Sequence, residues 1–249
     1  MKGFFDYKEP LVYGHRGFSA KAPENTMVSF DMCLSEHIPG IELDIHLSAD
    51  NKLYVIHDST LRRTCNIDAA IEDLDAGQIS KADPSFIKKD EYSGLRIPLL
   101  EEVLSSFGPR FIYDIELKWS KDKKRNRLLC QSAIDMVRAC KLEDHVSFSC
   151  FNPLVLATLN SISHGAFLSA DIFSHEDHIP RILHNGLGHI VSHSSYEKPD
   201  YRIVDEAFMK KQRRPIVAWT VNDEQSAKAM KSLGVAGIIS NDPAMVLKA

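Results

Sequence analysis

Apolar runs of strand length alternate along this chain with segments whose apolar residues recur at helical spacing. Leu11-Val12-Tyr13-Gly14 predicts a first strand that delivers His15-Arg16-Gly17. Pro23 then opens a helix with Glu24 in its first turn, and Met27, Phe30 and Leu34 form its inner face until Pro39-Gly40 stops it. Residues 40–46 predict a second strand, with Glu42, Asp44 and His46 on one face and Ile41, Leu43 and Ile45 on the other. The apolar run 53–56 ends in His57-Asp58. Between 59 and 98 the periodicity loosens, which predicts a small inserted subdomain after the second strand region. Strand character returns over 111–118, where alternation puts Asp114, Glu116 and Lys118 on one face. The alternation is then regular, predicting strands over 146–151, 166–171, 190–192, 215–221 and 237–240. The intervening helices are predicted over 153–162, 176–185 and 202–211, with a last full helix capped by Asn222 or Asp223 and ended by Gly234.

Strands alternating with amphipathic helices imply an α/β protein with a parallel sheet. About eight such units in one chain of this length fit a TIM-type (β/α)8 barrel better than an open sheet. The nucleotide-binding forms of the open sheet also lose their motifs, because no G-x-G-x-x-G follows the first strand and no P-loop occurs. The expected organisation is a single barrel domain over 1–249 with 59–98 inserted within it.

Composition narrows the partners. The 249 residues are 44% hydrophobic and 26% charged with a net charge of -4, so no global basic field favours nucleic acid or an anionic membrane. The basic run 121–127 leads into a helix with Leu129, Ala133, Val137 and Cys140 inward, and it reads as a solvated helix start. Five cysteines without a C-x-x-C pair suggest neither a disulfide framework nor a thiolate zinc site. With no apolar run of signal-peptide or membrane-spanning length, the expected location is the cytoplasm.

In such a barrel the reacting groups sit at the C-terminal ends of the strands, and the polar residues fall there: His15 and Arg16, Glu42 and Asp44, His57, and Glu116 with Lys118. Carboxylates converging on one point repel unless a cation neutralises them, and an all-oxygen set favours one hard divalent ion, Mg2+ or Ca2+, over zinc. Arg16 and Lys118 beside that ion suit a phosphate, and two histidines on one rim suit acid and base roles in phosphodiester cleavage.

These segments resemble the glycerophosphodiester phosphodiesterases. His15-Arg16-Gly17, Pro23-Glu24-Asn25-Thr26, Glu42-Leu43-Asp44, His57-Asp58 with Leu61 and Arg63-Thr64, Glu116-Leu117-Lys118 and Trp219-Thr220-Val221-Asn222 look like that family's motifs in their usual order. The resemblance implies a TIM-type barrel with a small insertion, and divalent-cation-dependent hydrolysis of a small-molecule glycerophosphodiester to an alcohol and glycerol 3-phosphate, within lipid and glycerol metabolism. By position it implies Glu42, Asp44 and Glu116 as metal ligands, His15 as general base, His57 as general acid, and Arg16 and Lys118 as phosphate holders. Phe151 and Trp219 would lie near the glycerol. Pro23 to Thr26 more naturally shape the first loop than touch substrate, and His46 stays outside the metal set. One departure is Ser240-Asn241, where the family often has Thr-Asp; the expectation is that this loop still caps the rim and that activity is kept.

Two other readings share parts of this pattern. A phospholipase C- or D-like barrel acting on membrane lipid would also have paired histidines and an acidic site, but the chain offers no apolar interfacial helix. A non-catalytic phosphate-binding barrel would be expected to have lost one of the five acids and histidines, and none is lost.

Overall fold

The computed structural model describes residues 4–5, 9–175 and 186–249. Its centre is a nine-stranded sheet: β1 (Leu11–His15), β2 (Gly40–Leu47), β3 (Leu53–Val55), β4 (Ile112–Leu117), β5 (Val146–Cys150), β6 (Leu168–Phe173), β7 (Tyr196–Pro199), β8 (Val217–Ala218) and β9 (Gly237–Ser240). The order β7-β6-β5-β4-β2-β1-β9-β8 is parallel throughout. Single parallel bridges between Glu197 and Ile216 and between Asp200 and Trp219 bring the two ends together. This is a nearly closed (β/α)8 barrel. The remaining strand, β3, pairs antiparallel with β2 outside that ring and carries the chain to His57.

The barrel interior changes character along its axis. At the N-terminal ends Leu11, Tyr13, Ala170, Tyr196, Val217 and Ile239 form an apolar floor. Two residues beyond Tyr13 and Tyr196, alternation delivers His15 and Lys198 to the same interior, where β2 and β4 add Glu42, Asp44, Asp114 and Glu116. The floor is tight: a Cβ at Gly40 would lie 2.6 Å from the ring of Tyr13. Outside, the strands pack against helices Met27–Ser35, Leu100–Phe107, Lys123–Ala139 and Pro153–Ser163, which bury Phe30, Val103, Ile134 and Leu156 against Ile41, Leu43, Ile115 and Phe148. Residues 59–98 fold into short helical turns, including Arg62–Cys65 and Ala76–Ile79, around their own buried cluster of Leu61, Ile71, Ile79 and Ala82.

Three expectations are corrected. The run Ile190-Val191-Ser192 is not a strand but part of a short helix, His189–Ser192; Ile190 is 62% exposed, so its apolar character reports no core position. The seventh strand is instead Tyr196–Pro199, whose Glu197 and Lys198 are both buried. Its hydrophobic signal is weak because it carries an interior-facing charge, Lys198, that is matched by Glu42 and Asp114 from β2 and β4 across the barrel. The helix expected over 202–211 breaks into a 3-10 turn, Tyr201–Ile203, and a helix Glu206–Lys211, because Asp205 caps the second piece by accepting from the Phe208 N–H at 2.7 Å. The strand expected over 215–221 keeps ladder pairing only at Val217–Ala218. Of the two capping candidates for helix Glu224–Leu233, it is Asp223 that accepts from Ser226 N. The helix expected over 176–185 lies outside the described residues.

Candidate active site

Pairing register assembles the acids. Asp44 lies beside Glu116 and Glu42 beside Asp114 across β2 and β4, while His15 lies beside Glu42 across β1 and β2. Glu42, Asp44 and Glu116 each bring a carboxylate oxygen within 4.8 Å of the others, and all three are buried. Burial together with repulsion from Asp44, Glu116 and Asp114 pushes the Glu42 carboxyl up to about 8, despite the nearby Lys198 ammonium. The Asp44 carboxyl instead lies well below the ordinary range: Lys118 and Arg16 beside it outweigh its burial. Asp44 Oδ1 faces the Lys118 ammonium at 2.9 Å. A buried three-carboxylate, all-oxygen set fits a hard divalent cation.

The first loop places Arg16. Arg16 itself adopts a left-handed backbone, φ 56°, and so does Gly17, φ 79°, where a Cβ would lie 2.3 Å from Ser29 Oγ. The turn sends the Arg16 N–H to Glu42 Oε2 at 3.1 Å and its Nε to within 3.4 Å of Asp44 Oδ2. Arg16 thus meets Asp44 as an ion pair in which its buried Nε makes no hydrogen bond. Asn25 supports them: its side chain donates to Asp44 Oδ2 at 2.8 Å. The loop reading of Pro23 to Thr26 is therefore accompanied by a direct contact with a proposed ligand.

The two histidines are oriented differently. His15 donates from Nδ1 to Asn241 Oδ1 at 2.6 Å, and Ser19 Oγ donates to the same oxygen at 3.0 Å. This fixes Nε2, 3.9 Å from Glu42 Oε2, as the unprotonated ring nitrogen. Burial, with help from the Arg16 charge, pushes His15 down to about 3, so its imidazole is neutral and able to accept a proton. Asn241 is in turn held by Asn222, whose Oδ1 accepts from its backbone N–H at 2.9 Å. His57 donates from Nδ1 to Asp58 Oδ1 at 2.6 Å, a bond that holds the Asp58 carboxyl far below its usual range. Arg63 grips Asp58 at 2.8 and 3.0 Å and Glu24 at 2.7 Å through two nitrogens, and Glu24 accepts from Arg16 at 2.9 Å. An unbroken polar chain therefore runs from His57 to Arg16. His46, which shares a strand face with the acids, bonds through Nε2 to the His57 carbonyl at 3.1 Å and stands outside the acidic group.

Phe151 and Trp219 meet edge to face, centroids 5.7 Å apart at 88°, and the indole donates to the Lys198 carbonyl at 2.8 Å. With Ile172, Ile239, His15 and His57 they line a cavity of about 260 Å3 above the acids. Arg16, Glu42 and Glu116 line the same cavity, whereas Lys118 lines a neighbouring groove and Asp44 lies beneath, against Lys118 and Arg16.

Lys198 is the residue that reasoning missed. Buried in the interior, its Nζ donates to Ser149 Oγ at 3.1 Å and lies 2.9 Å from Asp114 Oδ2 and 3.5 Å from Glu42 Oε1. Those acids raise its pKa against the opposing effect of burial. The available signal was the unusual charged strand Glu197-Lys198-Pro199, which the apolar run seven residues earlier obscured. Replacing Lys198 with Met strands two buried carboxylates, so a loss of about 3–5 kcal/mol is expected. Thermal unfolding should fall by about 10 °C; a shift below about 2 °C would show that the ammonium is not needed as counter-charge.

A TIM-type barrel with buried carboxylates and two oriented histidines at the C-terminal ends of its strands defines a class of barrel hydrolases. Residues 15–245 match the description "Glycerophosphoryl diester phosphodiesterase family". A glycerophosphodiester phosphodiesterase of Bacillus altitudinis is 30% identical over 241 residues, covering 95% of this chain and 96% of that protein. Two solved structures share the fold. The glycerophosphodiester phosphodiesterase of Agrobacterium tumefaciens has a TM-score of 0.81 at 23% identity, covering 96% of this chain and 100% of that one. An Oleispira antarctica phosphodiesterase, in complex with the product sn-glycerol-3-phosphate, has a TM-score of 0.82 at 24% identity, covering 96% of each chain. The chain belongs to the glycerophosphoryl diester phosphodiesterase family and is an enzyme of that kind.

Proposed function

We propose that this enzyme hydrolyses small glycerophosphodiesters to an alcohol and glycerol 3-phosphate, with Glu42, Asp44 and Glu116 holding one divalent cation, Mg2+ or Ca2+. The observation that carries the reading is the buried set of three carboxylates, Glu42, Asp44 and Glu116, with oxygens within 4.8 Å of one another, next to a cavity lined by two histidines whose Nδ1 atoms are tied to Asn241 and Asp58. Arg16 and Lys118 hold the phosphate oxygens, and the edge-to-face wall of Phe151 and Trp219 takes the glycerol carbons. When bound, the cation supplies charge neutralisation to the phosphate in the transition state. His15 Nε2 accepts the proton of the attacking oxygen, whether of water or of the substrate's own glycerol hydroxyl followed by water, and His57 Nε2 delivers one to the departing alcohol oxygen. Asn241 and Asp58 keep those nitrogens facing the cavity.

The chain acts as one barrel unit in which 59–98 is an inserted subdomain. Among the described residues no helix is long and apolar enough to cross a membrane. The small cavity beside Phe151 and Trp219 supports a deacylated diester over a lipid, and the location proposed is the cytoplasm. Incubation with glycerophosphocholine is expected to release glycerol 3-phosphate and free choline, followed by phosphorus NMR. Release of phosphocholine and glycerol would overturn the bond assignment and favour a phospholipase C-like cleavage.

A further inference from the structure

The cavity bounded by Phe151, Trp219, Ile172 and Ile239 accepts the glycerol phosphate half of a diester and little more. The other half must leave from the side on which the departing oxygen receives its proton, which is the side of His57. There a second and larger groove begins, of about 740 Å3, lined by His46, Ser59, Glu72, Asp73, Lys118 and Trp119 among others. It adjoins the reacting groups at two points. His46 bonds to the His57 carbonyl, and Lys118 Nζ lies 2.9 Å from Asp44 Oδ1 and contacts Glu116. One wall comes from the insertion at Ser59, Glu72 and Asp73, and the facing wall from the segment after β4.

The groove's chemistry selects among alcohols. Its acids, Glu72, Asp73 and Asp122, face its cations, Lys118, Lys121 and Arg125. Several are already engaged: Arg125 lies 3.8 Å from Glu72 and donates to the Leu47 and Ser48 carbonyls at 3.0 and 3.3 Å, and Asp122 caps the following helix through Lys124 N at 2.7 Å. Such balanced walls give no net attraction to an ammonium head group. They do offer donors and acceptors together, beside the Trp119 indole, which is 47% exposed. A polyol satisfies both kinds of partner with its hydroxyls and lays its C–H face on an aromatic ring, whereas a quaternary ammonium can use only the ring, by a cation–π contact, and leaves the groove's donors and acceptors unmatched. We propose that this groove is the subsite for the leaving alcohol and that it favours an uncharged polyhydroxy alcohol, with Trp119 as the specificity-determining residue. The inference rests on the hydrolytic function proposed above.

The whole enzyme is assayed with cation on glycerophosphoinositol, glycerophosphocholine and the methyl ester of glycerol 3-phosphate, reading glycerol 3-phosphate release. The inositol ester should have the highest kcat/KM. Trp119→Ala should lower it about five- to tenfold for that ester, mainly through KM, while the methyl ester stays within about twofold. Trp119→Phe should restore most of the loss, which also controls for folding. A preference for the choline ester, or equal losses on the inositol and methyl esters, would overturn the groove assignment while leaving the hydrolytic function intact. No release from any of the three by the unaltered enzyme would overturn the function itself, and the groove assignment with it.

Discussion

Exhaustive chelation is expected to reduce glycerol 3-phosphate release by about a thousandfold or more, and added Mg2+ or Ca2+ to restore it. The magnitude follows from the several kcal/mol that a divalent cation contributes to charge stabilisation in phosphoryl chemistry. Its structural basis is the arrangement of Glu42, Asp44 and Glu116 within 4.8 Å, with Glu42 pushed up to about 8 by burial and by its acidic neighbours. Without a cation such a group keeps a proton near neutral pH, and Arg16 and Lys118 are drawn to the acids instead of to substrate. A second readout is independent of turnover. A cation at a hundredfold excess over its Kd should stabilise the fold by about 2.7 kcal/mol, visible as a higher melting temperature. Full activity after chelation, together with an unmoved melting temperature, would remove the metal from the mechanism.

His57→Ala should slow esters of ordinary alkyl alcohols by about 10²–10⁴-fold. Esters of a nitrophenol, which leaves as an anion without help, should lose much less, less than about tenfold. The asymmetry separates a general acid from a residue that merely orders the site. His57 is suited to the role because Asp58 fixes its Nδ1 proton and Arg63 fixes Asp58, leaving Nε2 toward the cavity. Equal losses on both ester types would assign it a different part. His15, the proposed base, is held by an amide instead of a carboxylate. Ser240-Asn241 was the visible departure from the family pattern, and Asn241 still keeps the rim loop in contact with the site.

Much of the barrel was legible because its strands end where their polar residues begin. Alternation put Asp44 and Glu116 on polar strand faces, the barrel reading brought them to one rim with His15, and the register of β2 against β4 and β1 pairs them there. What failed was the seventh strand. Hydrophobic periodicity favours Ile190-Val191 over Tyr196-Glu197-Lys198-Pro199, yet the former is largely exposed and the latter buried. A charged strand enters a core only where its counter-charges are already present, and those, Glu42 and Asp114, lie far away in sequence. The same distance hid the links between Arg63 and Glu24 and between His15 and Asn241. Pairings across dozens to hundreds of residues leave no local pattern.

The double duty of Lys198 bears on how this pocket could be redesigned. Its ammonium faces the acids while its carbonyl receives the Trp219 indole, so the aromatic wall and the charged interior are fastened to the same residue. Widening the pocket at Trp219 would free a backbone acceptor next to that interior and exact a cost in folding along with any change in substrate. Phe151 and Ile172 line the same cavity without that tie to Lys198. They are the positions from which a library for altered substrates should start.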